Sequence, residues 1–118
     1  MEINDKDMSY MRPLHELKEL CLGVCPITDA GLANVADLTS LERLDLWQTV
    51  VSDAGLSHLA KLQKLRWLDL TNTKVSDAGI THLMQLRGLR VLYLTGTAVS
   101  DKGVDRLQKA IPFVKILR

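Results

Sequence analysis

The stretch Leu41–Lys64, LERLDLWQTVVSDAGLSHLAKLQK, occurs four times in this chain in related forms. Moved on by its own length it becomes LRWLDLTNTKVSDAGITHLMQLRG (Leu65–Gly88), and then LRVLYLTGTAVSDKGVDRLQKAIP (Leu89–Pro112). Moved back it is LKELCLGVCPITDAGLANVADLTS (Leu17–Ser40). Self-similarity at a fixed period of about 20 to 50 residues is the signature of a solenoid, whose units bury their apolar faces only against one another.

Each unit has two halves. In the second, Leu44 and Leu46 recur with the period of two of a strand buried on one face. Leu56, Leu59 and Leu62 follow at helical spacing, which predicts an amphipathic helix of roughly 8 to 11 residues. In front of each helix stands Thr28, Ser52, Ser76 or Ser100, followed by Asp29, Asp53, Asp77 or Asp101. The hydroxyl suits a helix N-cap, and a carboxylate in the first turn complements the helix dipole. Gly31, Gly55, Gly79 and Gly103 lie inside that first turn, where glycine costs about 0.5–1 kcal/mol relative to alanine. A cost repeated in every unit marks close approach between neighbouring backbones.

The frame LxxLxLxx(N/C/T)x(V/I) appears here as LKELCLGVCPI, LERLDLWQTVV, LRWLDLTNTKV and LRVLYLTGTAV. It resembles that of leucine-rich repeat proteins. The continuation (S/T)DAGLxxLxxL is similar to a subgroup found in many bacterial proteins and, in a cysteine-containing form, in F-box adaptors of ubiquitin ligases. This resemblance covers nearly all of the 118 residues. It implies an α/β fold: a leucine-rich repeat solenoid, a right-handed β-α superhelix with a concave parallel sheet of four to five short strands and convex helices. The family's asparagine or cysteine ladder position is Cys25, Thr49, Thr73 and Thr97 in this chain. A threonine hydroxyl can still bond turn backbone, so that column is expected to be structural.

One domain, 1–118, follows. Full repeats are expected at 17–40, 41–64, 65–88 and 89–112. Residues 1–16 overlay the helical half of a repeat: Ile3 matches Val51, Asp5 matches Asp53, Met8 matches Leu56, Met11 matches Leu59 and Leu14 matches Leu62. Residues 113–118, FVKILR, form a terminal strand, with Phe113 in the first apolar column and Ile116 in the second. Lys115 and Arg118 would protect its open edge.

Composition narrows the function. Apolar residues make up 47% and charged residues 25%, a globular profile, and the net charge of +1 gives no field to draw in nucleic acid or an anionic membrane. No run of 18 apolar residues and no signal-peptide pattern occurs, so a cytoplasmic protein is expected, with Cys21 and Cys25 as free thiols. His58 and His82 share a column on successive helices, but Asn34 and Arg106 complete it, which leaves no third metal ligand there. The glycines do not follow a phosphate-loop spacing. Lys64, Arg66, Arg87 and Arg90 cluster before the third and fourth strands, and solvated loop charge at helix C-termini accounts for them better than a phosphate backbone. No enzyme, cofactor or metal site is expected.

The outward strand positions remain. They read Glu19, Cys21 and Gly23; Arg43, Asp45 and Trp47; Trp67, Asp69 and Thr71; Val91, Tyr93 and Thr95. The chain has five aromatic residues, and Trp47, Trp67 and Tyr93 all fall on this face, whereas the core columns are almost entirely Leu, Ile and Val. Aromatic residues favour strands for their own sake. Three in adjacent rows point further, to an interface. Asp45 and Asp69 occupy one column on neighbouring strands, where like charges repel unless a cation compensates them. The expected partner is a protein or peptide carrying a Lys or Arg beside an apolar anchor. It would be held by Arg43, Asp45, Trp47, Trp67, Asp69, Thr71, Val91 and Tyr93. The alternative is a structural array, or part of a larger repeat protein, whose copies associate through exposed solenoid ends.

Overall fold

The computed structural model describes residues 2–118. Five strands form one parallel sheet in sequence order: β1 (Glu19–Cys21), β2 (Arg43–Asp45), β3 (Trp67–Asp69), β4 (Val91–Tyr93) and β5 (Lys115–Leu117). Their register repeats the sequence period, so Leu20, Leu44, Leu68 and Leu92 stand side by side. Those four leucines point inward and are buried, as are Leu22, Leu46, Leu70 and Leu94 just beyond them. Parallel strands need a crossover connection, and the helical half of each repeat supplies it. The core is thus a stack of identical leucine layers, closed on one side by the sheet and on the other by the helices.

The helical segments are shorter than the spacing predicts. They are α1 (Asp5–Met8), α2 (Asp29–Leu32), a 3-10 helix over Asp53–Leu59, α3 (Asp77–Leu83) and α4 (Asp101–Ala110). Only α4 has 10 residues; α1 and α2 have four each and continue as 3-10 turns over Ser9–Met11 and Ala33–Val35. A 3-10 turn rises about 2.0 Å per residue against 1.5 Å in an α-helix, so it crosses the repeat with fewer residues. Leu38, Leu62 and Leu86, which fit helical spacing, are buried in the turn that follows.

The Ser–Asp–Gly columns do more than start helices. Asp5, Asp29, Asp53 and Asp77 each reach forward to the next repeat. One carboxylate oxygen accepts from the backbone N–H of Thr28, Ser52, Ser76 or Ser100 at 2.7–2.8 Å. The other accepts from that residue's hydroxyl at 2.5 Å. All four hydroxyls donate to the preceding aspartate, but the expected cap, in which the hydroxyl oxygen also accepts a helix N–H, is made only by Thr28 and Ser100 and not by Ser52 and Ser76. Glycine is required because the carboxylate fills the space beside it. A Cβ at Gly79 would stand 2.5 Å from Asp53 Oδ1 and 2.8 Å from Leu56 Cδ1. This Asp–Ser–Gly seam staples each repeat to the next.

At the N-terminal end the overlay on a half-repeat holds for Met8, which is fully buried, and for Asp5, which joins the seam. Asn4 stands where later repeats have serine and closes a capping box with Asp7 instead. The overlay fails at Leu14, which is 46% exposed where Leu62 is fully buried. At the other end Phe113 does not occupy the first apolar column. It is 79% exposed, and Val114 is buried in its place. The reason is local: Ala110 stands in the column of Leu86 and is only half-buried, and Ile111, one residue further, is buried instead. Val114 N–H therefore bonds Ile111 C=O, as Leu89 N–H bonds Leu86 C=O. Strand pairing then resumes on the expected period, with Ile116 beside Leu92. Arg118 contacts Asp101 and donates to Val99 C=O, so it folds back on the last repeat rather than guarding the strand edge.

Two backbone columns set the turn after each strand. Thr49, Thr73 and Thr97 hydroxyls donate to the carbonyls of Leu46, Leu70 and Leu94 at 2.7 Å, the structural role expected of the ladder position. One residue earlier the chain is left-handed in every repeat, with φ of 66° at Val24, 53° at Gln48, 57° at Asn72 and 74° at Gly96. Glycine and asparagine suit that region; a β-branched valine is an outlier there, at a cost of about 1–2 kcal/mol.

Candidate binding face

The sheet's outer face presents three rows. The first runs Glu19, Arg43, Trp67, Val91 and Lys115, and the second runs Cys21, Asp45, Asp69, Tyr93 and Leu117. Beyond the strand ends lie Gly23, Trp47, Thr71 and Thr95. All eight residues expected to form the interface therefore share one face. Two more join them through β5, Lys115 and Leu117. The same shift by one period from Val91 and Tyr93 identifies both from the sequence.

The aromatic side chains are half-buried rather than laid open, because they shelter one another and their neighbours. Trp67 and Tyr93 pack with ring centroids 5.3 Å apart at an interplanar angle of 56°. Arg43 lays its guanidinium over the Trp67 ring, 3.9 Å from the centroid. Trp47 lies across Gly23, so that a Cβ on that glycine would overlap the indole. These contacts hold Arg43, Trp67 and Tyr93 as one packed cluster on β2–β4, with Trp47 laid separately over Gly23 beyond the end of β1.

Asp45 and Asp69 are direct cross-strand partners in the middle of it. Each uses one oxygen to hold its own strand's exit: Asp45 Oδ1 accepts from Trp47 N–H at 3.2 Å, and Asp69 Oδ1 from Thr71 N–H at 2.8 Å. The Cys21 thiol lies 3.7 Å from Asp45 Oδ2. Among the described residues the ion pairs are Lys109–Asp105 and Arg118–Asp101, and neither includes these two carboxylates. Burial pushes the Asp45 carboxyl above its ordinary range and the Asp69 charge adds to the shift, while the Trp47 N–H, the thiol and Arg43 oppose it. Arg43, adjacent in sequence to the acid's strand neighbours, is committed to Trp67.

Elsewhere the chemistry is sparse. His58 and His82 are half-buried on successive helical segments. Among the described residues no group of three or more His, Cys, Asp or Glu gathers as a metal site. Cys21 is exposed and Cys25 buried, and both are free thiols. Among the described residues no helix is long and apolar enough to cross a membrane.

No protein-family profile and no curated protein sequence matches the chain. Solved structures do. An internalin C2 from Listeria monocytogenes is 27% identical with a TM-score of 0.76, over 92% of this chain and 44% of its own. A leucine-rich repeat protein of Leptospira interrogans is 26% identical with a TM-score of 0.65, over 85% of this chain and 25% of its own. The plant peptide hormone receptor RGFR1, solved in complex with RGF2, shares the fold at 14% identity and a TM-score of 0.63, over 99% of this chain and 18% of its own. The chain thus spans less than half the length of each of these three solved chains. Together with the repeat, the sheet and the seam, these likenesses make it a leucine-rich repeat protein. Solenoids of this class present their concave sheet as an extended binding surface.

Proposed function

We propose that this chain is a non-catalytic protein-interaction module, and that its concave face takes a peptide or protein segment bearing a Lys or Arg. One observation carries the reading. Two carboxylates face each other across β2 and β3, neither joins an ion pair among the described residues, and Arg43, two residues before Asp45, is stacked on Trp67. Like charges directly opposite are destabilising in a sheet, so an incoming ammonium or guanidinium relieves a repulsion as well as making a bond. Trp67, Tyr93 and Trp47 then cover the apolar stem and flanking residues of the ligand, the role in which aromatic side chains dominate interface energetics. Thr71 and Val91 complete the rim. The receptor solved with RGF2 supports the reading at the level of the fold.

Selection of a displayed random-peptide library on the immobilised protein tests it. Enriched peptides should contain Lys or Arg, and their affinity should fall at least about tenfold on Asp45→Asn/Asp69→Asn, with marked sensitivity to salt. Equal enrichment on the wild type and the double variant would overturn the assignment.

A further inference from the structure

We infer that Val24 is a specificity-determining contact of this face, held in a left-handed turn so that it presents an apolar side chain beside Trp47 to a bulky apolar residue of the ligand. The inference rests on the concave-face reading above and extends it to a second ligand residue, adjacent to the basic one.

The four equivalent turns make the case. Each has a positive φ, and in three of them the N–H of that residue also donates to the next repeat's carbonyl: Val24 to Trp47 at 2.9 Å, Gln48 to Thr71 and Asn72 to Thr95 at 2.8 Å. The left-handed backbone is therefore common to all four turns, and the side chain is what varies. Asn72 and Gly96 are residues that this conformation favours. They also fit each other, since a Cβ on Gly96 would overlap the Asn72 amide oxygen. Valine is the least suited of the four, and nothing inside the protein compensates it, for it stays 52% exposed. A strained residue that returns no packing points outward to function.

Its neighbours say what it serves. Gly23 precedes it, and the Trp47 indole lies on that glycine; the Val24 N–H is bonded to the Trp47 carbonyl. The exposed isopropyl group therefore stands at the margin of the face, next in sequence to the glycine on which the indole lies, in the repeat next to the one that carries Asp45. The charge at Asp45 and Asp69 anchors a basic ligand residue, and Trp47 with Val24 receives an apolar one a short distance along the same segment.

Two substitutions separate this role from a merely tolerated outlier. Val24→Asn gives the turn a residue it prefers, so it should raise Tm by about 4 °C while weakening the selected peptides about tenfold. Val24→Thr keeps the branched shape and the strain but replaces one methyl group with a hydroxyl, and it should weaken the same peptides without the gain in Tm. The probes are synthetic peptides taken from the library selected on the wild type, and these should carry a bulky apolar residue at constant spacing from Lys or Arg. Peptides that bind Val24→Asn and Val24→Thr as tightly as wild type, yet lose binding to Asp45→Asn/Asp69→Asn, overturn the role of Val24 and leave the acidic anchor standing. Loss of neither, or a library without enrichment, overturns both.

Discussion

Asp53 and Asp45 lie in the same repeat, and their carboxylates meet opposite surroundings. Asp53 has both oxygens taken up by the N–H and hydroxyl of Ser76 in the next repeat, and Gly79 is cleared to admit it. Asp45 faces Asp69 across the sheet, spends one oxygen on its own strand, and is left beside a like charge. The seam is closed: each group it buries is answered by the same residue types one repeat on. The concave face is open, with charge and aromatic surface that the repeat itself does not answer. Changes in the seam should therefore cost stability and leave binding alone, and changes in the face should do the reverse.

The largest effect should come from Gly79→Ala, which sets a methyl group against the Asp53 carboxylate and Leu56. We expect a loss of about 3 kcal/mol by urea denaturation, the upper end for overpacking a tight site. Asp53→Ala should cost less, about 2 kcal/mol, by stranding the Ser76 N–H and hydroxyl. Because the two changes act on one contact, the double variant should lose less than their sum; strict additivity would mean that the seam is not the unit described.

Acid titration sharpens the contrast. Asp77 in the seam is held below the ordinary 3.8, first by the Ser100 hydroxyl and then by its N–H. Its contribution is present above pH 3.8 and lost as the pH falls below that value through its lowered pKa. Asp45 on the face is raised above 3.8, so protonation as the pH falls through its raised pKa relieves a cost instead of removing a gain. Stability measured against pH should fall less below 3.8 in Asp77→Ala than in the wild type, whereas Asp45→Asn should flatten the gain on acidification above it. At neutral pH Asp45→Asn is the smallest change, within about 0.5 kcal/mol and stabilising in sign, since the amide oxygen can still accept from Trp47 N–H. A loss of more than about 1 kcal/mol there would place Asp45 with the structural residues.

Much of this was legible in the residues alone. Leu44, Leu46 and their equivalents occupy the layers that the period assigns them, and the strand register repeats that period from β1 to β5. The threonine column bonds the turn as its chemistry suggests. The eight interface candidates lie on one face because alternation along a strand is a property of the backbone. What escaped was which side chains bond or stack across from one repeat to the next. Capping explained the Ser–Asp pairs locally, but the aspartate reaches across to the next serine. Cation–π stacking of Arg43 on Trp67 likewise joins two strands. Phe113 leaves its expected column because the buried position after α4 moves from Ala110 to Ile111, and a fixed period cannot register that.

The sequence by itself determined the solenoid, its leucine layers and the face on which aromatic and acidic residues collect, because periodicity is a one-dimensional property that survives without coordinates. Only the tertiary structure decided which polar groups are already satisfied. It gave the seam aspartates their serine and threonine partners, stacked Arg43 on Trp67, and placed Val24 in a backbone it does not favour. Satisfaction and strain depend on distances between repeats, and those exist only once the repeats are stacked.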